Sequence, residues 1–144
     1  MIRVVVTPTP IILADELEIA ERGGALATFT GMVRADDGVT ELMLEHYPGA
    51  TERVLEALAQ EAVQRWDLSG ATIIHRVGPM SPGDRIVFVA TSAAHRASAL
   101  EACAFLIDRL KTDAPFWKRE RLGDRHRWVE PRESDDTAAA KWRP

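Results

Sequence analysis

Little in this sequence announces a function by its presence alone. It holds a single cysteine, Cys103, in 144 residues. There is therefore no disulfide framework and no CxxC metal pair, and a reducing compartment fits. No apolar run approaches the roughly 20 residues that a membrane-spanning helix needs. The opening MIRVVVTPTP has neither a long apolar stretch nor an A-x-A cleavage site, so no signal peptide is read and the cytoplasm is the expected location. GxGxxG, Walker-loop and Ser-His-Asp patterns are missing. So are HxH and HxxxH pairs, and with them any expectation of a metal site. Positive charge is in deficit, with 18 Lys and Arg against 22 Asp and Glu. That balance counts against a general nucleic-acid or membrane-surface binder. No repeat or low-complexity linker divides the chain, and its length suits one domain over residues 1–144. Hydrophobic residues make up 46% of it, enough for a core without covalent staples.

The scarce positive charge is concentrated. Between Arg109 and Arg132 stand eight Lys and Arg against four Asp and Glu. A basic pocket in an acidic protein suits a small anionic ligand better than a polyanion. The centre of this region is KTDAPFWKRE, Lys111 to Glu120. On an unbroken helix Lys111 and Lys118 would stand about 10.5 Å apart on one face. Pro115 rules that out, because its ring and missing N–H disfavour helix there and in the preceding residue. Lys111 is thus expected in the last turn of one element and Lys118 beyond a rigid turn, an arrangement able to aim both ammonium groups into one pocket. Burial or neighbouring cations can turn such lysines into nucleophiles or proton carriers. The plainer alternative is a helix C-terminus with a favourable lysine, followed by a solvated basic loop.

Strands are expected at Arg3–Thr7, Ala25–Val33, Thr40–Tyr47, Ala71–Val77, Arg85–Thr91 and His126–Glu130. Helices are expected at Ala14–Arg22, Thr51–Trp66 and Ala94–Lys111. Gly31 marks a bulge or a close approach. Leu42, Leu44 and His46 share one face of an alternating strand. Arg85–Thr91 is apolar on both faces and so central. Glu61 and Arg65 form an i,i+4 pair. The segment from Glu133 reads as a polar, partly flexible tail. Strands and helices mix without strict βαβ alternation, which implies an α+β fold with a mixed or largely antiparallel sheet.

Other candidates surround the lysine pair. Ser92 is a candidate N-cap, which would put His95 and Arg96 in a first helical turn already suited to an anion. Arg34, at a strand end after Gly31, could fork onto a phosphate. For both, an ordinary surface role is the alternative. His46 and His75 read as satisfied core or rim histidines. Cys103, on the apolar face of its helix, reads as an inert thiol. Trp117 and Trp128 could stack on a flat ring or simply seal the core edge.

Six phrases, taken together, resemble a known family. FTGMVR (Phe29–Arg34), LEHYPGAT (Leu44–Thr51), IIHRVGPMSPGD (Ile73–Asp84), FVATSAAHR (Phe88–Arg96), LKTDAPFWKRE (Leu110–Glu120) and RWVEPRESD (Arg127–Asp135) resemble, in order, the large subunit of molybdopterin synthase. The resemblance spans about Val4 to Ser134. It implies an α/β-hammerhead fold with additional small β-structure, and a central homodimer carrying a small ubiquitin-like subunit at each end. That partner's C-terminal Gly-Gly tail bears a thiocarboxylate and enters the large subunit's pocket. Two sulfurs pass to cyclic pyranopterin monophosphate to form the dithiolene of molybdopterin, with no cofactor in the large subunit.

Carried over by position, the resemblance implies catalytic roles for Lys111 and Lys118. It implies substrate contacts from Met32, Val33, Arg34, His95, Arg96, Arg119 and Glu120, and a lesser one from Arg132, which a second protomer could supply. Arg34, His95 and Arg96 would hold the cyclic phosphate. Met32 stands where relatives often carry lysine, and Asp113 where a basic residue is common. Two other classes remain open. A non-catalytic phosphometabolite-binding module would use Arg34, His95 and Arg96 but give Lys111 no special role. A small RNA-binding domain would use the basic stretch with Trp117 and Trp128, against which the net acidity counts.

Overall fold

The computed structural model describes residues 1–129 and 133–143. Among these described residues, eight strands and four helices follow one another as β1 (Ile2–Thr7), α1 (Leu13–Ala20), β2 (Ala25–Met32), β3 (Glu41–His46), α2 (Ala50–Trp66), β4 (Gly70–Arg76), β5 (Gly78–Met80), β6 (Arg85–Ala93), α3 (Arg96–Asp113), β7 (Phe116–Leu122), β8 (Arg125–Val129) and α4 (Glu133–Ala140). The strands form two four-stranded sheets, ordered β1-β4-β6-β2 and β5-β3-β7-β8. β1 pairs with β4 in parallel, while the other ladders are antiparallel. The α+β class with mixed and antiparallel sheets is thus as the sequence implies.

Alternation along β4 and β6 explains how the first sheet is covered. Ile73, Val87 and Val89 face α2 and α3, and with Leu55, Phe105 and Leu106 they build the main core. Ile74, Phe88 and Ala90 face the other way, toward Ile11, Leu17 and Ala20 of the α1 region. β6 is flanked on both sides and buried on both faces, as its continuous apolar run requires. Each large aliphatic or aromatic side chain buried here contributes about 1.5–3 kcal/mol. A smaller core joins the two sheets, where Leu42, Leu44, Val33, Val77 and Met80 meet Phe116.

The glycine at position 31 serves both expected purposes. The β2–β6 register shifts between Gly31 and Met32. A Cβ on Gly31 would also come within 2.9 Å of Val87 Cγ1. The chain leaves this irregularity with Val33 buried and Arg34 exposed.

Several elements differ from the sequence expectation. β6 continues through Ser92 to Ala93, because β2 pairs with it as far as Ala25 opposite Ala93. Ser92 is therefore a buried strand residue, not an N-cap, and α3 starts at Arg96 with His95 at its N-cap and no side-chain cap. Arg65 does not pair with Glu61, which Arg109 holds at 3.0 Å. Arg65 instead donates to the Trp142 carbonyl at 2.9 Å and lies 4.8 Å from the Trp66 ring centre. The segment from Glu133, expected as a loose tail, forms α4. Trp142 beyond it packs edge-on against Trp66 and Phe105, and its indole N–H donates to Asp108 at 2.7 Å. β5 and β7 were not legible as strands.

Candidate active site

Lys111 stands in the last turn of α3, and Lys118 in the middle of β7. The break between them is the one Pro115 dictates. Ala114 is extended, with φ −77° and ψ 129°, as a residue before proline must be. The Phe116 N–H then donates to the Ala114 carbonyl at 2.9 Å, closing a three-residue turn around Pro115. Thr51, fully buried at the start of α2, anchors this turn. Its hydroxyl accepts the Tyr47 N–H at 3.0 Å and donates to the Pro115 carbonyl at 3.2 Å.

Both lysines line one open cleft of about 840 Å³. Its apolar lining includes Phe29, Leu42, Val87, Leu110 and Phe116, and its charged lining sets Arg34, Lys111, Lys118 and Arg127 against Asp36, Glu120 and Asp135. The strand register explains the lining. Lys118 lies opposite Leu44 and Glu120 opposite Leu42. Directly opposed residues of an antiparallel ladder share a face, so both follow the leucines toward the inner side. Glu120 is paired with Arg127 of β8 at 3.1 Å. Met32 and Val33 also line the cleft, Met32 exposed and Val33 largely within the small core. Arg34 is 67% exposed and only 4.0 Å from Asp36, a pairing too weak to hold it from a ligand. Trp117 and Trp128 border the same space.

Arg119 falls elsewhere. One residue past Lys118, it turns to the opposite face of β7 and lies 5.8 Å from the Trp128 ring centre across the ladder. Asp113 does not bear on Lys111 as a free acid. Arg109 holds its carboxylate at 2.7 Å, and the Thr112 hydroxyl donates to it at 3.0 Å. The C-terminal end of α3 favours the cation at Lys111.

His95 and Arg96 are not at this cleft. They open α3, fifteen residues before Lys111, and at 1.5 Å per residue that is about 22 Å. The β2 ladder agrees: it runs from Ala25 opposite Ala93 to Met32 opposite Arg85, and seven extended residues span about 23 Å. Arg34 and Lys111 therefore lie at one end of the sheet, and His95 and Arg96, both exposed, at the other. Arg132 lies outside the described residues.

One cleft residue was not expected to bear on function. His75, at the end of β4, is 6% exposed and lines the cleft beneath the lysines. Its ring stacks on Phe116 with centroids 4.0 Å apart and planes at 24°. Burial, above all, pushes its pKa down to about 3; the Arg76 carbonyl opposes this, and Lys118, Lys111 and His46 add to it. The sequence shows His75 on a strand but not that the strand's end meets β7. Cys103 is buried as expected, with its pKa pushed up to about 11, chiefly by burial.

Comparison with known proteins points one way. A family model described as MoaE protein matches residues 6–113. The molybdopterin synthase catalytic subunit of Escherichia coli (strain K12) is 51% identical over 146 aligned positions, covering 97% of each chain. A solved structure of a molybdopterin biosynthesis MoaE protein from Burkholderia ambifaria MC40-6 superposes with TM-score 0.85 at 45% identity, covering 99% of this chain and 98% of that one. The crystal structure of molybdopterin synthase from Staphylococcus aureus gives TM-score 0.80 at 32% identity, over 89% and 96% of the two chains.

Proposed function

The chain belongs to the MoaE protein family, and on that footing we propose that it is the catalytic subunit of molybdopterin synthase, a sulfurtransferase. It takes two sulfurs, one at a time, from the C-terminal thiocarboxylate of a small ubiquitin-like partner. It delivers them to cyclic pyranopterin monophosphate, forming the molybdopterin dithiolene. A cytoplasmic location goes with this reading.

The observation that carries it is the convergence of Lys111 and Lys118 on one cleft, from two elements joined by the Thr51-anchored Pro115 turn. Apolar walls with two lysines, Arg34 and Arg127 among three carboxylates suit a slim acyl tail whose negative end is drawn to the lysines. In each transfer the tail's sulfur bonds to a pterin side-chain carbon and that carbon's bond to oxygen breaks. One oxygen stays on the phosphate as the cyclic ester opens, and the other leaves as water. Water cleaves the acyl–sulfur bond and leaves the tail a carboxylate. Lys111 serves this exchange as acid/base or as a brief acyl acceptor. Lys118 binds substrate and stabilises developing negative charge.

The separation of His95 and Arg96 from Lys111 shapes the rest of the proposal. One chain cannot bring both ends of α3 to one small phosphate. In a homodimer, the exposed N-terminal end of α3 from one protomer can complete the cleft of the other, and a small partner on each protomer makes a 2:2 assembly. The deciding experiment is turnover of cyclic pyranopterin monophosphate by the purified chain mixed with a thiocarboxylated Gly-Gly partner. Dithiolene formation is the expected result. No product with that partner, or product from free sulfide without it, would overturn the reading.

A further inference from the structure

Arg34 reaches the cleft from a strand end that its own ladder does not hold. The β2–β6 pairing stops at Met32, opposite Arg85, just after the shift at Gly31. The next residue, Val33, is clamped instead by the turn that leads into β6. Its N–H donates to the Asp84 carbonyl at 2.9 Å, and its own carbonyl accepts the Gly83 N–H at 2.8 Å. The turn is Ser81-Pro82-Gly83-Asp84. The Asp84 N–H closes it on the Ser81 carbonyl at 3.0 Å, and Gly83 takes φ +93°, as the third position of a type II turn requires. The Asp84 side chain ties the turn a second time. Its Oδ2 accepts the Ser81 N–H at 2.9 Å and lies 3.4 Å from Arg76 Nη1 at the end of β4. Arg76 is largely buried, and its Nε has no hydrogen-bond partner among the described residues, so the ion pair with Asp84 helps offset that burial. One carboxylate thus joins β4, the turn and, through the turn's backbone, the residue before Arg34.

We propose that Asp84 is a positioning residue for Arg34: its carboxylate holds the turn whose backbone fixes Val33, and thereby aims the arginine into the cleft. Side-chain contacts do little to set that direction. Arg34 is 67% exposed, and its ion pair with Asp36 spans 4.0 Å, too long and too solvated to fix a flexible side chain. What is fixed is the backbone from which it departs. Val33 is buried in the small core between the sheets, both its backbone bonds run to the turn, and Arg34 is the next residue. Asp84 itself does not line the cleft, so it bears on a ligand there only through another residue. The value of Arg34 to phosphate binding rests on the sulfur-transfer reading; the hold on Val33 does not.

The hold is read by hydrogen exchange in the full chain. The Val33 amide should be protected in the native protein. In Asp84→Ala it should exchange at least about tenfold faster, as a local opening, while amides of the central strand β6 keep their rates. A Val33 amide unprotected in the native protein, or indifferent to Asp84→Ala, would overturn the proposal whatever the enzyme does. The consequence is read by titration calorimetry of cyclic pyranopterin monophosphate with no partner present. Arg34→Ala should weaken binding about tenfold to a hundredfold, the worth of a charged hydrogen bond, and Asp84→Ala about tenfold. Added to Arg34→Ala, Asp84→Ala should cost no further affinity, because residues that act in series are not additive. Equal losses in both backgrounds would mean a general loosening of the cleft and would also overturn the proposal. Asp84→Asn keeps an oxygen for the Ser81 N–H but loses the charge facing Arg76, and should show the same changes at reduced size. If Asp84→Ala does not fold, that variant decides. If the native chain does not bind the substrate, the sulfur-transfer reading fails, while Val33 exchange still judges the hold of Asp84.

Discussion

The two ends of α3 carry the same kind of charge and meet different surroundings. At the C-terminal end, Lys111 enters a cleft walled by the second sheet, with Lys118 and Arg34 on the same lining. At the N-terminal end, His95 and Arg96 are exposed, and among the described residues no hydrogen bond or ion pair holds either side chain. The first end has the look of a site within one chain. The second has the free N–H groups and basic side chains of half an anion site. The comparison shows that sequence proximity to a motif and membership of one cleft are separate matters: Arg34 joins the lysines from 77 positions upstream, while Arg96, on the same helix as Lys111, does not.

The sharpest way to break the comparison is to remove the enclosed end. Lys111→Ala should lower sulfur transfer by at least a thousandfold, about 4 kcal/mol of barrier, if it acts as acid/base or acyl acceptor as well as charge. Lys118→Ala should cost somewhat less, about a hundredfold or more. Circular dichroism should stay unchanged, since neither side chain belongs to a buried core cluster. Near-normal turnover of Lys111→Ala would strip that end of its special status.

The exposed end is tested by mixing. Arg96→Ala should raise KM by about tenfold to a hundredfold, the worth of one charged hydrogen bond to phosphate. If the two ends act on one substrate across a dimer, Arg96→Ala and Lys111→Ala protomers should complement. A mixed dimer would hold one site with both defects and one with none. Co-refolding the two proteins should therefore yield sites with native KM and native turnover, which neither protein shows alone. No recovery, in dimers proved mixed by mass spectrometry, would mean that the ends do not share a site.

Much of this arrangement was legible in the sequence, for physical reasons that also explain what was not. Pro115 ends a helix wherever it stands, so the division between Lys111 and Lys118 could be read locally. Gly31 marked the irregular edge of β2, and the two-faced apolarity of Arg85–Thr91 marked the central strand. Ser92 misled because a serine before a helical pattern looks like a cap, and only the pairing of Ala25 with Ala93 keeps it in the sheet. β7 was hidden because a strand of FWKRERL owes its place to the ladder with β3, not to its own alternation. α4 has little apolar surface of its own, and its docking depends on Trp142 meeting Trp66 and Phe105 from distant parts of the chain. His75 could be read as a core or rim strand residue and Thr51 only as the start of a helix; that Thr51 is buried to anchor the Pro115 turn, and that His75 lines the cleft, are tertiary facts.

Thr51 separates support of the enclosed end from its chemistry. Thr51→Val keeps the volume but leaves the Tyr47 N–H and the Pro115 carbonyl without the hydroxyl between them. Stability should fall by about 1–3 kcal/mol, read from denaturant midpoints at constant m-value. Turnover should fall more than tenfold, because the turn that sets Lys111 against Lys118 loses its anchor. An unchanged midpoint would show that the turn holds itself.

His75 gives the enclosed end a pH signature. Its native pKa of about 3 lies below its unfolded value, near 6.5 for a histidine. Between those values the unfolded state binds the extra proton, so its contribution to stability is present above about pH 6.5 and declines on acidification toward pH 3. The slope from this one group should approach about 1.4 kcal/mol per pH unit within that window. His75→Phe should flatten the acid limb of the stability curve by that one proton. An identical limb in the variant would place the acid sensitivity on carboxylates instead.

The smallest expected effect on activity lies midway between the two ends. Cys103 sits on α3 between Arg96 and Lys111, buried, with its thiol pKa pushed up to about 11. At neutral pH it is a thiol and not a thiolate, so it is a poor nucleophile and a poor sulfur acceptor. It also lies outside the cleft lining. In the proposed reaction the sulfur arrives on the partner's tail and needs no cysteine in this chain. Cys103→Ala should therefore leave kcat and KM within about twofold of the native values, while the lost packing costs about 1 kcal/mol of stability. Mass spectrometry of the protein during turnover should find no additional sulfur on Cys103. A persulfide there, together with loss of activity in Cys103→Ala, would move the chemistry from the end of the helix to its middle.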